Sequence, residues 1–240
     1  SSSAISAAEG MGLRVRFPEV QGYVPNSFGR GAALMPSISE ISETPDFRFR
    51  NLPGFLRLKL WSKDAATVTS VTLKSNGGET LAGDATVTFT QDGIPQTTMA
   101  GIGRNSITID CAEGVEISRN ETEPTIYWLA IPPVTMARGF TVEARTDDGR
   151  IASRSTSKSI STSRNIINTM APMECLWTPD LASGEELDVS EYSKTIDIAW
   201  SGTTATVTNN SGLPVAQDGG HITIGTPTSA GKKVRINISV

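Results

Sequence analysis

Protein chemistry needs side chains that move protons, hold metals or attack bonds, and this chain offers few of them. It carries one histidine, His221, among 240 residues. His221 lies in Gly219-Gly220-His221-Ile222-Thr223-Ile224, at the start of an apolar alternation, and reads as an exposed turn residue. A hydrolytic triad needs a histidine set between two partners. A zinc site needs several His or Cys ligands at close spacing. His221, Cys111 and Cys175 have no such spacing. The adjacent carboxylates Asp147-Asp148 and Glu185-Glu186 read as solvated turns, and no loop has the spacing of a calcium-binding EF-hand. Gly101-Ile102-Gly103-Arg104 reads as a loop glycine pair without the third glycine and the helix of a nucleotide fingerprint. The residues therefore point to no catalytic site, no cofactor and no metal, and to a chain that is not an enzyme.

The aromatic residues are the remaining candidates for binding. Trp61 and Trp177 sit at strand or linker ends, where a tryptophan covers a seam or stacks on a sugar. They are the ligand-binding candidates of this sequence. Trp200 alternates with Ile196 and Ile198 and reads as core. Trp128 lies in Ile126-Tyr127-Trp128-Leu129-Ala130-Ile131, apolar on both faces, and reads as an inward residue of a central strand. Cys111 continues the alternation of Ile107 and Ile109 and reads as a buried free thiol; a Cys111–Cys175 disulfide is the alternative.

The elements that carry these residues are strands. Leu56, Leu58 and Leu60 alternate with Arg57 and Lys59, and Ala85, Val87 and Phe89 alternate with threonines. Side chains of a strand point to opposite faces with a period of two, so each run has one core face and one wet face. The spacing predicts strands at 46–51, 55–61, 67–75, 84–90, 105–111, 114–118, 125–131, 139–146, 150–157 and 159–162. Leu13 to Phe17 alternates weakly. Residues 163–173 read as a last edge strand or an exit segment. Asn76-Gly77-Gly78, Asp92-Gly93 and Asp147-Asp148-Gly149 are turn signals, the last of them between two hairpin strands. The predicted core holds Leu56, Leu58, Leu60, Val87, Phe89, Ile107, Ile109, Trp128, Phe140 and Val142.

Four segments follow. Residues 1–45 form a strand remnant and a Pro/Gly-rich connector, 46–173 a β-sandwich, 174–192 an acidic linker, and 193–240 a small β unit. That last unit is short for independent stability, and its final strand must find a partner. Net charge is −4 with no basic stripe, so nucleic acid is a poor partner. No apolar run approaches the ~20 residues of a membrane span. Residues 1–10 lack the basic and apolar regions of a signal peptide. Asn120-Glu121-Thr122, Asn209-Asn210-Ser211 and Asn237-Ile238-Ser239 match the N-glycosylation pattern.

The order of motifs resembles the Bacteroidetes fimbrillin family. It runs from Pro18-Glu19-Val20-Gln21-Gly22-Tyr23 through Ser27-Phe28-Gly29-Arg30-Gly31-Ala32 and Met35-Pro36 to Phe47-Arg48-Phe49-Arg50-Asn51-Leu52-Pro53-Gly54-Phe55-Leu56-Arg57-Leu58. Val71-Thr72-Leu73, Asn76, Glu79-Thr80-Leu81-Ala82-Gly83 and Tyr127-Trp128-Leu129-Ala130-Ile131-Pro132-Pro133 come next. Gly139-Phe140-Thr141-Val142, Asp148-Gly149 and Arg164-Asn165 with Ile167 close the series, so the match covers about 13–173. The resemblance implies extracellular surface proteins with transthyretin-like sandwiches, many of them lipoproteins. Some are fimbrial subunits or tip adhesins completed by a neighbour's donor strand. On this resemblance residues 1–17 are the last strands of a mostly missing N-terminal domain, which makes the chain a fragment or a shortened member. The tail from Ile196 to Ile224 is similar to the opening of a carbohydrate-binding β-helix domain.

The expected architecture is all-β: an antiparallel Greek-key (transthyretin-like) β-sandwich followed by a small second β unit. The expected function is a non-enzymatic cell-surface adhesin or fimbrial-subunit-like protein of the outer-membrane surface, pilus or fimbrium. A carbohydrate-binding module, or a structural spacer of a larger surface lipoprotein, is the alternative. Expected partners are a host or bacterial surface protein or glycan, and other fimbrial subunits by donor-strand exchange. Nucleic acid is not expected, and a membrane only through a lipid anchor outside this chain.

Overall fold

The computed structural model describes residues 12–37, 39 and 43–179, and the strand segments 186–188, 196–199, 204–209, 215–218, 221–224 and 233–239. This part is all-β, with no helix among the described residues. Two compact units divide the chain: Ser1–Asp148 with Ala152–Leu176, and Gly149–Ile151 with Trp177–Val240.

The first unit begins with β1 (Leu13–Phe17), β2 (Val20–Gly22), β3 (Gly54–Trp61) and β4 (Thr67–Ser75). It continues with β5 (Ala82–Phe89), β6 (Pro95–Arg104), β7 (Ser106–Glu116), β8 (Thr125–Ile131) and β9 (Val134–Met136). β10 (Phe140–Thr146), β11 (Arg150–Thr156), β12 (Ile160–Thr162) and β13 (Ile167–Glu174) complete the series. One sheet runs in the order β11-β10-β4-β7-β2 and a second in the order β13-β3-β8. A third, β1-β5-β6, and the pair β12-β9 stand beside them.

Alternation explains the core. Val71 and Leu73 of β4, Ile107 and Ile109 of β7, and Phe140, Val142 and Ala144 of β10 are buried on one face of the larger sheet. Leu56, Leu58 and Leu60 of β3 and Tyr127, Leu129 and Ile131 of β8 are buried on one face of the smaller. Each sheet thus hides one face, as a sandwich requires. A separate cluster of Phe17, Leu52, Ala85 and Val87 fills the third sheet, with Phe89 half-buried against it.

Several expectations need correction. Trp128 is not an inward residue. Tyr127, Leu129 and Ile131 occupy the inward positions of β8, and Trp128 is half-buried on the other face, packed against Ala32, Phe55 and Ala130. The run is apolar on both faces, so its period could not choose between them. Residues 46–51 are not a strand. Phe47 and Phe49 alternate there but are exposed, and the backbone bonds near the segment run from Arg50 to Pro36 and from Leu52 to Leu34. The two strands predicted at 105–111 and 114–118 are one, β7, with positive φ at Ala112 and Gly114 where its register against β4 slips. Gly101 and Gly103 lie on β6, not in a loop. β6 was invisible to periodicity because it is largely exposed, with Ile102 93% accessible. β9 was missed for its shortness, and the connector at 18–46 contains β2.

The sheets are mixed rather than purely antiparallel. β2 runs parallel to β7, and β13 parallel to β3. The segment before residue 46 is part of the first unit: β1 pairs with β5, and Phe17 is buried.

In the second unit, Thr178 and Pro179 (β14) pair with Ile151 and Arg150. β15 (Glu186–Asp188), β17 (Thr204–Asn209) and β20 (Lys233–Ser239) form one sheet, and β16 (Ile196–Ala199), β18 (Val215–Asp218) and β19 (His221–Ile224) another. The final strand finds its partners inside this unit, since β20 lies between β15 and β17. The turns expected at Asn210–Gly212 and Gly219-Gly220, and the core position of Trp200, lie outside the described residues.

Candidate functional site

The first unit carries an open groove between β11 and β13. It starts from a local lock. Asn165 takes a left-handed φ of 60°, a conformation that asparagine tolerates. Its N–H donates to the Pro53 carbonyl at 2.9 Å, and its side-chain oxygen accepts from Asn51 at 2.8 Å. Arg164 donates to the Asn51 carbonyl at 3.2 Å, and Phe55 N–H to the Ile166 carbonyl at 2.8 Å. Gly54 has no side chain because a Cβ there would stand 2.5 Å from the Ser163 carbonyl oxygen. This lock sets β13 on its parallel path beside β3.

β13 is an edge strand, bonded among the described residues to β3 alone. Its register against β3 slips between Thr169 and Pro172, and Pro172 has no N–H to give. The groove holds about 520 Å³. Leu58, Leu60, Phe140 and Val142 form its floor, Met170 and Met173 one wall, and Arg154, Ser155 and Thr156 of β11 the other. The side chains of the floor belong to the core, so the groove reaches the seam between the two sheets. β13 has an open edge, and β11 pairs with β14 only at Arg150 and Ile151, so around Arg154–Thr156 it too has an open edge among the described residues. Open edges expose unpaired N–H and C=O groups.

The second cluster of interest is buried. Tyr23 and Tyr127 have ring centroids 5.3 Å apart, and both feel Cys111. Cys111 and Cys175 are free thiols, so the structure contains the buried free thiol and not the disulfide. Burial pushes both thiols up to about 12. Burial, reinforced by the neighbouring thiols, raises the Tyr127 phenol strongly, and its hydroxyl has no hydrogen-bond partner among the described residues. A protonated, enclosed thiol is not a nucleophile, so these groups serve as core.

The sequence candidates lie outside the groove. Trp61 is half-buried at the end of β3, where its carbonyl accepts the Cys175 N–H at 2.7 Å. Trp177 is half-buried in the second unit, with the Arg150 guanidinium 5.9 Å from its ring centroid. Neither lines the groove. His221 pairs through its backbone with Ala199 and Asp218 in β19. The residues of the groove were missed by sequence reasoning. The one signal was the pair Met170 and Met173 in a segment read as a last edge strand or an exit segment. Among the described residues no cluster of three or more His, Cys, Asp or Glu side chains has the geometry of a metal site. No family model matches the chain, and no curated protein matches it.

Proposed function

We propose that this chain is a non-enzymatic surface adhesin or fimbrial-subunit-like protein, exported to the outer-membrane surface or a fimbrium. The observation that supports the reading best is the groove between β11 and β13. A sandwich open along one seam, with an apolar floor, the free edge of β13 and the unpaired later part of β11, takes up an extended segment by main-chain hydrogen bonds and by pockets for alternate side chains. Met170 and Met173 suit such a wall, because unbranched thioether side chains adapt to different occupants. The resemblance of residues 13–173 to fimbrillins supports the same reading, with a neighbouring subunit as the source of the strand.

Adhesion is the test. Bacteria displaying the chain are measured against host-cell monolayers and against each other. A second strain displays Met170→Glu/Met173→Glu, which puts two carboxylates on the groove wall. Adhesion above the empty display, lost in the variant, supports the reading. Adhesion no greater than the empty display overturns it.

A further inference from the structure

We infer that the groove selects its strand by charge: its occupant is an extended peptide segment with apolar side chains at every second position and acidic side chains between them. The inference rests on the strand-acceptor reading above and adds the chemistry of the partner.

The charge at the groove has one sign. Lys59, Arg154 and Lys158 line it, the last two exposed and Lys59 half-buried, and no aspartate or glutamate does. The alternation of β11 explains the placing of Arg154. The Ser155 hydroxyl accepts a bond from Thr141 at 3.0 Å and one from Asn76 at 3.1 Å on the outer face of the larger sheet. Arg154 and Thr156 therefore turn to the opposite side, which is the side of Phe140 and Val142. Lys158 follows the end of β11, next to Ile160. Neither cation makes an ion pair among the described residues. Glu174, the acid at the end of β13, is held by Lys63 at 3.2 Å. Lys59 makes no ion pair among the described residues either, and the two exposed cations, Arg154 and Lys158, stand at separate points along the groove.

The length fits a short strand. From Asn168 to Met173 the wall spans roughly 17 Å at about 3.3 Å per residue. A segment laid there meets the Arg154 end and the Lys158 end together. Its inward side chains face the apolar floor, and its remaining side chains face the rim. Acidic residues at those positions meet opposite charge, and basic ones meet like charge. The same two cations discourage edge-to-edge pairing of one groove with another copy of itself, because like charges face each other there.

The experiment uses the full chain and two end-blocked, fluorescently labelled octapeptides. One alternates valine with glutamate, the other valine with lysine. Binding is read by fluorescence anisotropy at low salt and at 1 M salt. The glutamate peptide is expected to bind about tenfold more tightly at low salt, with exposed ion pairs of modest strength summed over two sites. The preference shrinks at 1 M salt, where the screening length is about 3 Å. Arg154→Glu/Lys158→Glu reverses it, and the neutral pair Arg154→Gln/Lys158→Gln cuts it to the part that Lys59 retains. Circular dichroism confirms that each variant keeps its strands. Equal binding of the two peptides, or an unaltered preference in both variants, overturns the charge selection while leaving the groove a strand acceptor. Binding of neither peptide overturns the strand-acceptor reading itself.

Discussion

Gln21→Met removes two hydrogen bonds and little else. The Gln21 side chain is 2% exposed, and Ala130 is 1% exposed. Gln21 Nε2 donates to the Ala130 carbonyl at 2.8 Å, and the Ala130 N–H donates to Gln21 Oε1 at 3.0 Å. One side chain on β2 thus satisfies both backbone groups of a residue on β8, a strand bonded on its other side to β3. Methionine keeps the length and the unbranched shape but offers neither bond. Leaving a buried donor or acceptor unmade costs about 1–3 kcal/mol each, and burial of the new apolar atoms recovers part of this. The expected net loss is about 2–3 kcal/mol. Urea unfolding measures it, followed by the near-ultraviolet circular dichroism of the Tyr23–Tyr127 pair. The midpoint should fall with the slope unchanged. Gln21→Glu is expected to lose more at neutral pH, since it brings a buried charge opposite the Ala130 carbonyl. A loss below about 0.5 kcal/mol for Gln21→Met would refute the reasoning, because water must then satisfy the Ala130 peptide.

Three further outcomes are expected. Cys111 and Cys175, raised to about 12 by burial, stay protonated at pH 8 and resist a thiol reagent in the folded chain, whereas both react at once in urea; rapid labelling of native protein contradicts this. The Glu79 carboxyl is held below the ordinary carboxylate range by the Ser75 hydroxyl first, then by backbone N–H groups including that of Ala137. Its contribution to stability is complete above the ordinary range and fades as pH falls through its lowered folded-state value, so a carboxyl NMR titration at or above the ordinary pKa refutes it. Gly139→Ala should be much worse than Gly149→Ala. Both glycines have positive φ, which alone costs alanine about 1 kcal/mol, but a Cβ at Gly139 would stand 1.9 Å from the Thr156 carbonyl oxygen while Gly149 faces open space. Equal thermal midpoints for the two variants would show that the Thr156 contact yields easily.

Local patterns sufficed where one face of a strand meets the core and the other meets water. Leu56, Leu58 and Leu60, or Phe140 and Val142, announce both a strand and its inward side, because burial of every second residue is imposed by the backbone period. The hairpin turn before Gly149 was equally legible, since a positive φ of 80° favours glycine. Strands without that asymmetry were not legible. Ile126 to Ile131 is apolar on both faces, so only the packing of Ala32 and Phe55 over one side decided that Tyr127 points inward and Trp128 does not. β6 is wet on nearly all sides and left no period to read. The alternating Phe47 and Phe49 gave a strand pattern, yet both are exposed and their segment joins no strand among the described residues. The groove belongs to this second kind. Leu58, Val142, Arg154 and Met170 come from four strands, with Leu58 more than 80 residues from the others, and their meeting depends on β13 lying parallel beside β3. No spacing along the chain encodes that pairing. It is fixed by the bonds of Asn51, Pro53 and Phe55 to Arg164, Asn165 and Ile166, long-range contacts that exist only once the sheets have formed.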